Sequence, residues 1–403
     1  MPVPKALKVL MLIENCPVPT DNRVWAQATA LRDHGYQVSI IGPKGASKCQ
    51  EAYICLEGIH IYRYRLPTRA STPGAYILEY SIALFMTFVL SWKVLFRQGF
   101  DVIHTANPPD IFFLIGLCYR ILGKKIIFDQ HDLSPELFQV KFPRHLRLLY
   151  SFLRFLEWCS YRTAHVVITT NVSQKRFAIE RGHCRPDKVF VVRNGPDLRR
   201  IKVVEPEPEL KMGRSYLLCY VGEMEVQDGI DNALRALHAL VYKCGRDDVL
   251  LALIGDGGYV PVLEALVSEL QLDAHVHFTG WLQVEDLVRY LSVADVGLIP
   301  DPQNGLNEYC TMVKTMEYMA VGIPMVAFDL PETRFSAEGS ALYASPNSVE
   351  DFASKVETLL NDNVLRLEMG ALGRRRVEEA LNWEHDKAVL LQAYHITLQS
   401  SLY

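Results

Sequence analysis

Short, almost unbroken apolar runs recur along the 403-residue chain, each followed by a stretch with helical spacing. In the first half these runs are Lys8–Ile13, Gln37–Gly42, Ile59–Arg65, Asp101–Thr105, Lys125–Gln130, His165–Thr170 and Lys188–Asn194. A strand that is apolar on consecutive residues has to be buried on both faces, as in a parallel sheet covered by helices on each side. After the first run, Thr20-Asp21 can cap a helix that carries Val24, Ala28 and Leu31 on one face and stops at Gly35. A second helix is predicted over Leu146–Arg162.

The rhythm breaks at Pro196–Gly213, where Glu205-Pro206-Glu207-Pro208-Glu209 has charge and proline but no apolar period. It resumes with Tyr216–Glu223, Leu250–Gly255, Val276–Gly280, Val296–Pro300, Pro324–Phe328 and Ala341–Ala344 as strands, with helices such as Asp231–Cys244 and Val260–Leu270 between them. Alternation of β and α twice over predicts an α/β protein of two doubly wound parallel-sheet domains, over 1–196 and 214–382, joined by a linker at 197–213. A last helix, Trp383–Leu398 within 383–403, is placed to pack back on the first domain. In such sheets ligands bind beyond the carboxyl ends of the strands, so residues just after each run are the site candidates.

Composition excludes several classes. A formal net charge of −4 without a basic stretch argues against nucleic acid as a partner. The nine cysteines stand singly with no C-x-x-C pair, which fits a reducing cytoplasm better than a disulfide framework or a zinc site. No D-x-D triplet is present to hold a divalent ion on a diphosphate, so no metal and no cofactor are expected. Lys8–Ile13 is too short for a signal-peptide core. Tyr80–Trp92 holds 13 uncharged residues between Glu79 and Lys93. That falls short of the roughly 20 a spanning helix needs, so the segment reads as a buried helix, or else as one lying on a membrane surface.

The densest chemistry lies in Asn307–Ala327, NEYCTMVKTMEYMAVGIPMVA. A helix starting near Thr311 and ending at Ala320, stopped by Gly322 and Pro324, places Lys314 and Glu317 on one face. Thr311, Lys314 and the free N–H groups of the helix start suit a diphosphate, and Glu317, one turn on, suits a pair of ribose hydroxyls; taken alone, Lys314 and Glu317 fit a surface ion pair at least as well. Two histidines follow strands in the first half, His104 in DVIHTANPPD and His131 in Asp129-Gln130-His131-Asp132. Gly255-Asp256-Gly257-Gly258 lacks the full dinucleotide spacing and reads as a tight strand-to-helix turn.

Glu317-Tyr318-Met319-Ala320-Val321-Gly322-Ile323-Pro324 resembles the nucleotide-binding signature of glycosyltransferase family 4, E-A-M-A-x-G-x-P. Val276–Pro300 and Arg193-Asn194-Gly195-Pro196-Asp197 are similar to further family segments, and DNRVWAQATALRDHGYQV and DQHDLSPELF resemble a branch associated with bacterial surface polysaccharides. The resemblance implies the GT-B architecture, two Rossmann-like domains facing across a cleft, the first on the acceptor side and the second holding the nucleotide sugar. It implies retaining, metal-independent transfer of a sugar to a glycan or lipid-linked acceptor, with Glu317 and His131 as catalytic groups and His131 against the donor sugar. Lys314, Thr311, Arg23 and Gly222 are the candidates for the nucleotide and its phosphates; His104, Glu308, Tyr309 and Asn194 are candidates for donor or acceptor contact. A cytoplasmic place with peripheral attachment to the inner face of a membrane follows from the same likeness. The sequence departs from the family pattern in three places: Tyr309 stands where the signature's first glutamate belongs, Glu223 and Asp228 where a basic pair is common, and Pro19–Arg23 in place of a glycine-rich loop. A sugar-nucleotide epimerase of the same architecture and a non-catalytic relative in an assembly complex are the alternatives.

Overall fold

The computed structural model describes residues 6–45, 49–66, 72–142 and 147–399. The chain divides into two compact units, Met1–Val192 with Asp386–Tyr403, and Arg193–His385. The first contains β1 (Lys8–Leu12), α1 (Asn22–Asp33), β2 (Gln37–Pro43), β3 (Tyr53–Leu56), β4 (Ile59–Tyr64), α2 (Pro73–Arg97) and β5 (Val102–Ala106). It continues with α3 (Phe113–Ile121), β6 (Lys125–Gln130), α4 (Ser134–Lys141), α5 (Arg147–Thr163), β7 (Val166–Thr169), α6 (Val172–Glu180) and β8 (Val189–Val191). Its sheet runs β3-β4-β2-β1-β5-β6-β7-β8, parallel throughout except for the edge strand β3. That edge hairpin was not legible as alternation, yet its turn has a cause: Glu57 and Gly58 both take positive φ, 50° and 81°, the pair a two-residue hairpin loop needs.

The second unit contains β9 (Tyr216–Val221), α7 (Ile230–Lys243), β10 (Val249–Ile254), α8 (Val260–Glu269), β11 (Val276–Gly280), α9 (Val284–Val293) and β12 (Val296–Ile299). After these come α10 (Val313–Val321), β13 (Met325–Phe328), α11 (Pro331–Ala337), β14 (Ala341–Ala344), α12 (Val349–Asn361), α13 (Asn363–Glu379) and the start of α14 (Trp383–Gln399). Its sheet runs β11-β10-β9-β12-β13-β14, all parallel. Counted within the unit the order is 3-2-1-4-5-6, the doubly wound arrangement, which reverses direction between β9 and β12. Alternate residues face opposite layers: Leu218 and Tyr220 join α7 and α12 on one side, while Leu217 and Cys219 join α9 and α10 on the other.

Several expected boundaries shift. The helix placed from Leu146 is described from Arg147, since Leu146 lies outside the described residues. α10 begins at Val313, two residues after Thr311. The proline-rich 197–213 segment is tied down: Ile201 is buried, and Lys211 pairs with Asp295 at 2.7 Å. From Asp386 onward α14 belongs to the first unit, where the Tyr394 ring stands edge-on to Tyr36, 5.7 Å between centroids. The apolar stretch Tyr80–Trp92 is corrected in length and burial: α2 runs 25 residues, and only 17% of its most apolar window is buried.

Glycines set how closely the strand ends of the second unit approach. A Cβ on Gly255, whose φ is +143°, would stand 1.8 Å from the Gly222 carbonyl oxygen, and one on Gly257 would stand 2.3 Å from that of Met224. The GDGG turn therefore lets two backbones touch, as its sequence predicts. Gly255→Ala should cost about 3 kcal/mol or more, because backbone, not a flexible side chain, is in the way. A urea titration of the purified variant measures it, and a loss below about 1 kcal/mol would show that the strand ends can part.

Candidate functional site

The carboxyl ends of β9 and β12 open at the reversal of the second sheet, and α10 is anchored beside them by Tyr318. Its hydroxyl shares its one proton between the carbonyls of Cys219 (3.0 Å) and Leu298 (3.3 Å) and accepts from Val221 N–H (3.1 Å). Gly297 makes room for the ring, since a Cβ there would stand 2.5 Å from it. Met316 and Met319 bury the same helix into the core, and Gly322 closes it at φ 76°. With the inner face fixed, Lys314 and Glu317 are carried to the strand ends.

Lys314 is buried, its Nζ 3.1 and 3.2 Å from the two Asp301 oxygens and 4.7 Å from the centre of the Tyr220 ring. Gly222 lies against it: a Cβ at that position would be 3.5 Å from Lys314 Cε. The first turn of α10 has no side-chain cap, and the Thr311 hydroxyl is buried without a hydrogen-bond partner. Unmet helix N–H groups, an unpartnered hydroxyl and an ammonium at one helix start form an arrangement suited to an anion. Glu317 is half-buried, and among the described residues no hydrogen bond or ion pair holds its carboxyl. Burial raises its pKa, against the pull of Lys314.

Carboxyl groups crowd the same place. Burial pushes Asp228 up to about 7, with Lys314 opposing and Asp301 reinforcing the shift; burial likewise raises Asp301. Asp228 accepts from Glu225 N–H at 3.0 Å, shaping the turn before α7. Asn307 ties the following loop to that turn, donating to the carbonyls of Gln227 (2.9 Å) and Pro302 (3.0 Å). Glu308 accepts from Gln303 at 2.9 Å, and Tyr309 is half-buried beside it in the turn Asn307–Tyr309. Asn194 is half-buried at the start of this unit. Sequence reading missed Asp301, Tyr220 and Asn307; Asp301 stands two residues beyond the end of β12, and the strand-end rule applied to His131 would have found it.

The first unit gathers its candidates elsewhere. Asp129, fully buried at the end of β6, accepts from Arg23 Nη2 (2.6 Å) and Nε (3.1 Å), from Gln27 (2.9 Å), and from Nε2 of His131 (2.9 Å) and of His104 (3.3 Å). Burial alone would raise its pKa, but the Arg23 guanidinium and the two histidines outweigh that and hold it well below the usual range. Arg23, expected at phosphates, is buried in this network: its charge is matched by Asp129, and its Nη1 donates to the Val192 carbonyl at 2.8 Å. His104, expected to contact donor or acceptor, is almost wholly buried, with Nδ1 2.8 Å from the Tyr394 hydroxyl, and burial lowers its pKa. His131 stays near the surface, its ring held by Asp129 and its N–H donating to Asn107 at 2.6 Å. Among the described residues no group of three His, Cys, Asp or Glu side chains converges on a metal position.

Two family models match, "Glycosyltransferase Family 4" over residues 21–200 and "Glycosyl transferases group 1" over 215–362. The chain belongs to glycosyltransferase family 4 and has the GT-B type of fold, two Rossmann-like parallel-sheet units. It is 25% identical over 302 residues to the sulfoquinovosyl transferase of Arabidopsis thaliana, a match covering 69% of this chain and 53% of that one. It is 27% identical over 203 residues to a GDP-mannose-dependent monoacylated alpha-(1-6)-phosphatidylinositol monomannoside mannosyltransferase of Corynebacterium glutamicum, covering 47% and 52%. The chain thus spans about half the length of these curated relatives. In fold it is similar to a solved sucrose-phosphate synthase from Thermosynechococcus elongatus, TM-score 0.79 at 19% identity over 98% of this chain and 100% of that one.

Asp129→Asn should destabilise the protein by about 3 kcal/mol, since it leaves the buried Arg23 guanidinium uncompensated. Acid stability adds a signature. A carboxyl with a lowered folded pKa stabilises above its unfolded value near 4, and that contribution is lost as the pH falls through the folded value. The variant should therefore show a shallower stability loss below pH 4 than the parent, and equal slopes would remove Asp129 from the role of counter-ion.

Proposed function

We propose that the chain transfers a sugar from a nucleoside diphosphate sugar to a hydroxyl of a glycan or lipid-linked acceptor, with retention, without a metal, and in cell-surface polysaccharide synthesis. The observation that carries the reading is the uncapped start of α10, where Lys314, the unpartnered Thr311 hydroxyl and Gly222 meet at the reversal of the second sheet. The relatives' printed names, a GDP-mannose-dependent mannosyltransferase among them, support a nucleotide-sugar donor. The likeness to surface-polysaccharide enzymes supports the pathway, and family resemblance supports retention.

In this reading the diphosphate lies on the α10 N–H groups, Thr311 and Lys314, and Glu317 accepts from the ribose hydroxyls. When the bond between the anomeric carbon and the phosphate oxygen breaks, negative charge grows on the departing diphosphate. A fixed ammonium and a helix N-terminus already in place stabilise that charge without reorganising. Asp301 holds Lys314 still, while Asp228, neutral in part near pH 7, spares the phosphates a full carboxylate. In the first unit the proposal keeps His131 as a sugar-contacting group, its ring oriented by Asp129. A second reading, a non-catalytic relative, draws on Glu223 and Asp228 standing where a basic pair is common.

Lys314→Ala and Glu317→Ala should each lower transfer by about tenfold or more, the loss expected when a charge contact to the transition state is removed. Turnover is measured with purified variants whose melting matches the parent, and near-parental rates in both would remove the site from catalysis. Nucleotide affinity should also fall as the pH rises from about 6 to 8, because Asp228 becomes anionic beside the phosphates. Calorimetric titration shows this directly, with Asp228→Asn flattening the profile; no nucleotide binding at any pH would favour the non-catalytic reading.

A further inference from the structure

α2 has more large apolar side chains than its contact with the core covers. Its fully buried residues are Ala83, Thr87, Ser91 and Val94, with the Ser91 hydroxyl 2.8 Å from that of Tyr119 on α3, and Leu84, Met86, Phe88, Leu90, Trp92 and Leu95 pack against the core from the flanks, each only partly buried. The residues it turns to solvent are Ile77, Leu78, Phe85, Val89 and Phe96, with Phe85 65% and Phe96 80% exposed. A helix whose only apolar contact is its own protein's core carries the reverse pattern.

The face extends beyond one helix. The crossovers β4 to β5, β5 to β6 and β6 to β7 all proceed in one direction along the sheet, so right-handed connection puts α2, α3 and α5 on the same side. α3 exposes Leu114, Leu117 and Ile121, and α5 exposes Leu148, Phe152, Phe155 and Trp158. A groove of about 340 Å³ runs between Phe85 and Phe88 of α2 and Leu114 and Cys118 of α3. An apolar area of this extent marks an interaction surface.

Charge identifies the occupant. The three helices carry six cationic side chains, of which Lys93, Arg97, Arg147 and Arg162 are exposed while Arg154 pairs with Glu157 and Arg120 donates to the carbonyls of Arg162 and Thr163, against two carboxyls, Glu79 and Glu157, neither of them exposed. This stands out in a chain of net charge −4. Large apolar side chains set among cations, with no exposed carboxylate on the same helices, match a bilayer whose headgroups are anionic. α2 is long and apolar enough to cross a membrane by length and composition. Crossing would require pulling it off the sheet, where Ala83 and Val94 are fully buried and Ser91 meets Tyr119.

We propose that the α2–α3–α5 face is a membrane-docking surface that lies on an anionic bilayer, its aromatic and aliphatic side chains entering the headgroup layer. The assignment does not rest on the transferase reading, and its test does not use activity. The full-length protein is sedimented with vesicles of phosphatidylglycerol and phosphatidylcholine in equal parts, and with phosphatidylcholine alone. Binding to the anionic vesicles should be about tenfold tighter and should weaken with salt. A Phe85→Ser, Phe96→Ser double variant should lose about tenfold in affinity, and so should Lys93→Glu, Arg97→Glu, while Trp281→Ser on the second unit, also exposed, should bind like the parent. Both phenylalanines point outward, so matching melting curves confirm the fold of that variant; the charge pair tests the surface again, and because Lys93 Nζ lies 5.7 Å from the centre of the Tyr62 ring its melting is matched to the parent as well. Absence of vesicle binding, parental binding by both double variants, or retention of the protein on vesicles after alkaline extraction would overturn the proposal. So would a dimer in solution that Phe85→Ser, Phe96→Ser dissociates, because the face would then belong to a second copy.

Discussion

The close approach of Gly222 and Gly255 governs the second unit. Gly222 follows β9 and Gly255 follows its parallel neighbour β10, and the turns leaving these two strands approach so closely only because neither has a side chain to displace. That contact leaves room beside Gly222 for Lys314, which arrives on α10 from the neighbouring strand β12. Tyr318 then fixes the depth of the helix, through hydrogen bonds to strand backbone on both sides of the reversal. Position of the ammonium is thus a consequence of backbone packing, and a buried charge so placed must be matched, which Asp301 does.

The first unit solves a similar problem with a different centre. Asp129 collects one guanidinium, two imidazoles and one amide from three elements and sits with no exposed surface. Such a carboxylate is tolerated in a core because its oxygens are hydrogen-bonded and its charge is compensated. The network has one member near the surface, His131, and one that reaches α14 through Tyr394, so the last helix is secured to the same centre. Polar residues at the end of β6 therefore serve the fold and orient one imidazole at once.

Much of this was legible in the sequence, for identifiable reasons. Continuous apolar runs announce parallel strands because both faces are buried, and glycine at 255 and 322 announces turns because backbone approach or positive φ excludes other residues. The helix carrying Lys314 and Glu317 could be placed because its stop signal is local. The Asp129 cluster could not, since residues 23, 27, 104 and 131 share no spacing and meet only when β1, β5 and β6 pair. Nor could the aspect of α2: hydrophobicity alone reads as burial, and only packing shows that its small residues face inward. The pairing of Arg23 was hidden for the same reason, since its partner lies 106 positions away.

The central claim is that a nucleoside diphosphate is held at the start of α10 in the second unit. Hydrogen–deuterium exchange of the full-length protein, with and without saturating UDP, GDP, ADP or dTDP, reads the occupied backbone directly. One of these nucleotides should slow exchange across 311–317 and 222–230, while amides around Asp129 stay unchanged. Protection confined to the first unit, or none at 311–317 with a nucleotide shown to bind, would contradict the account.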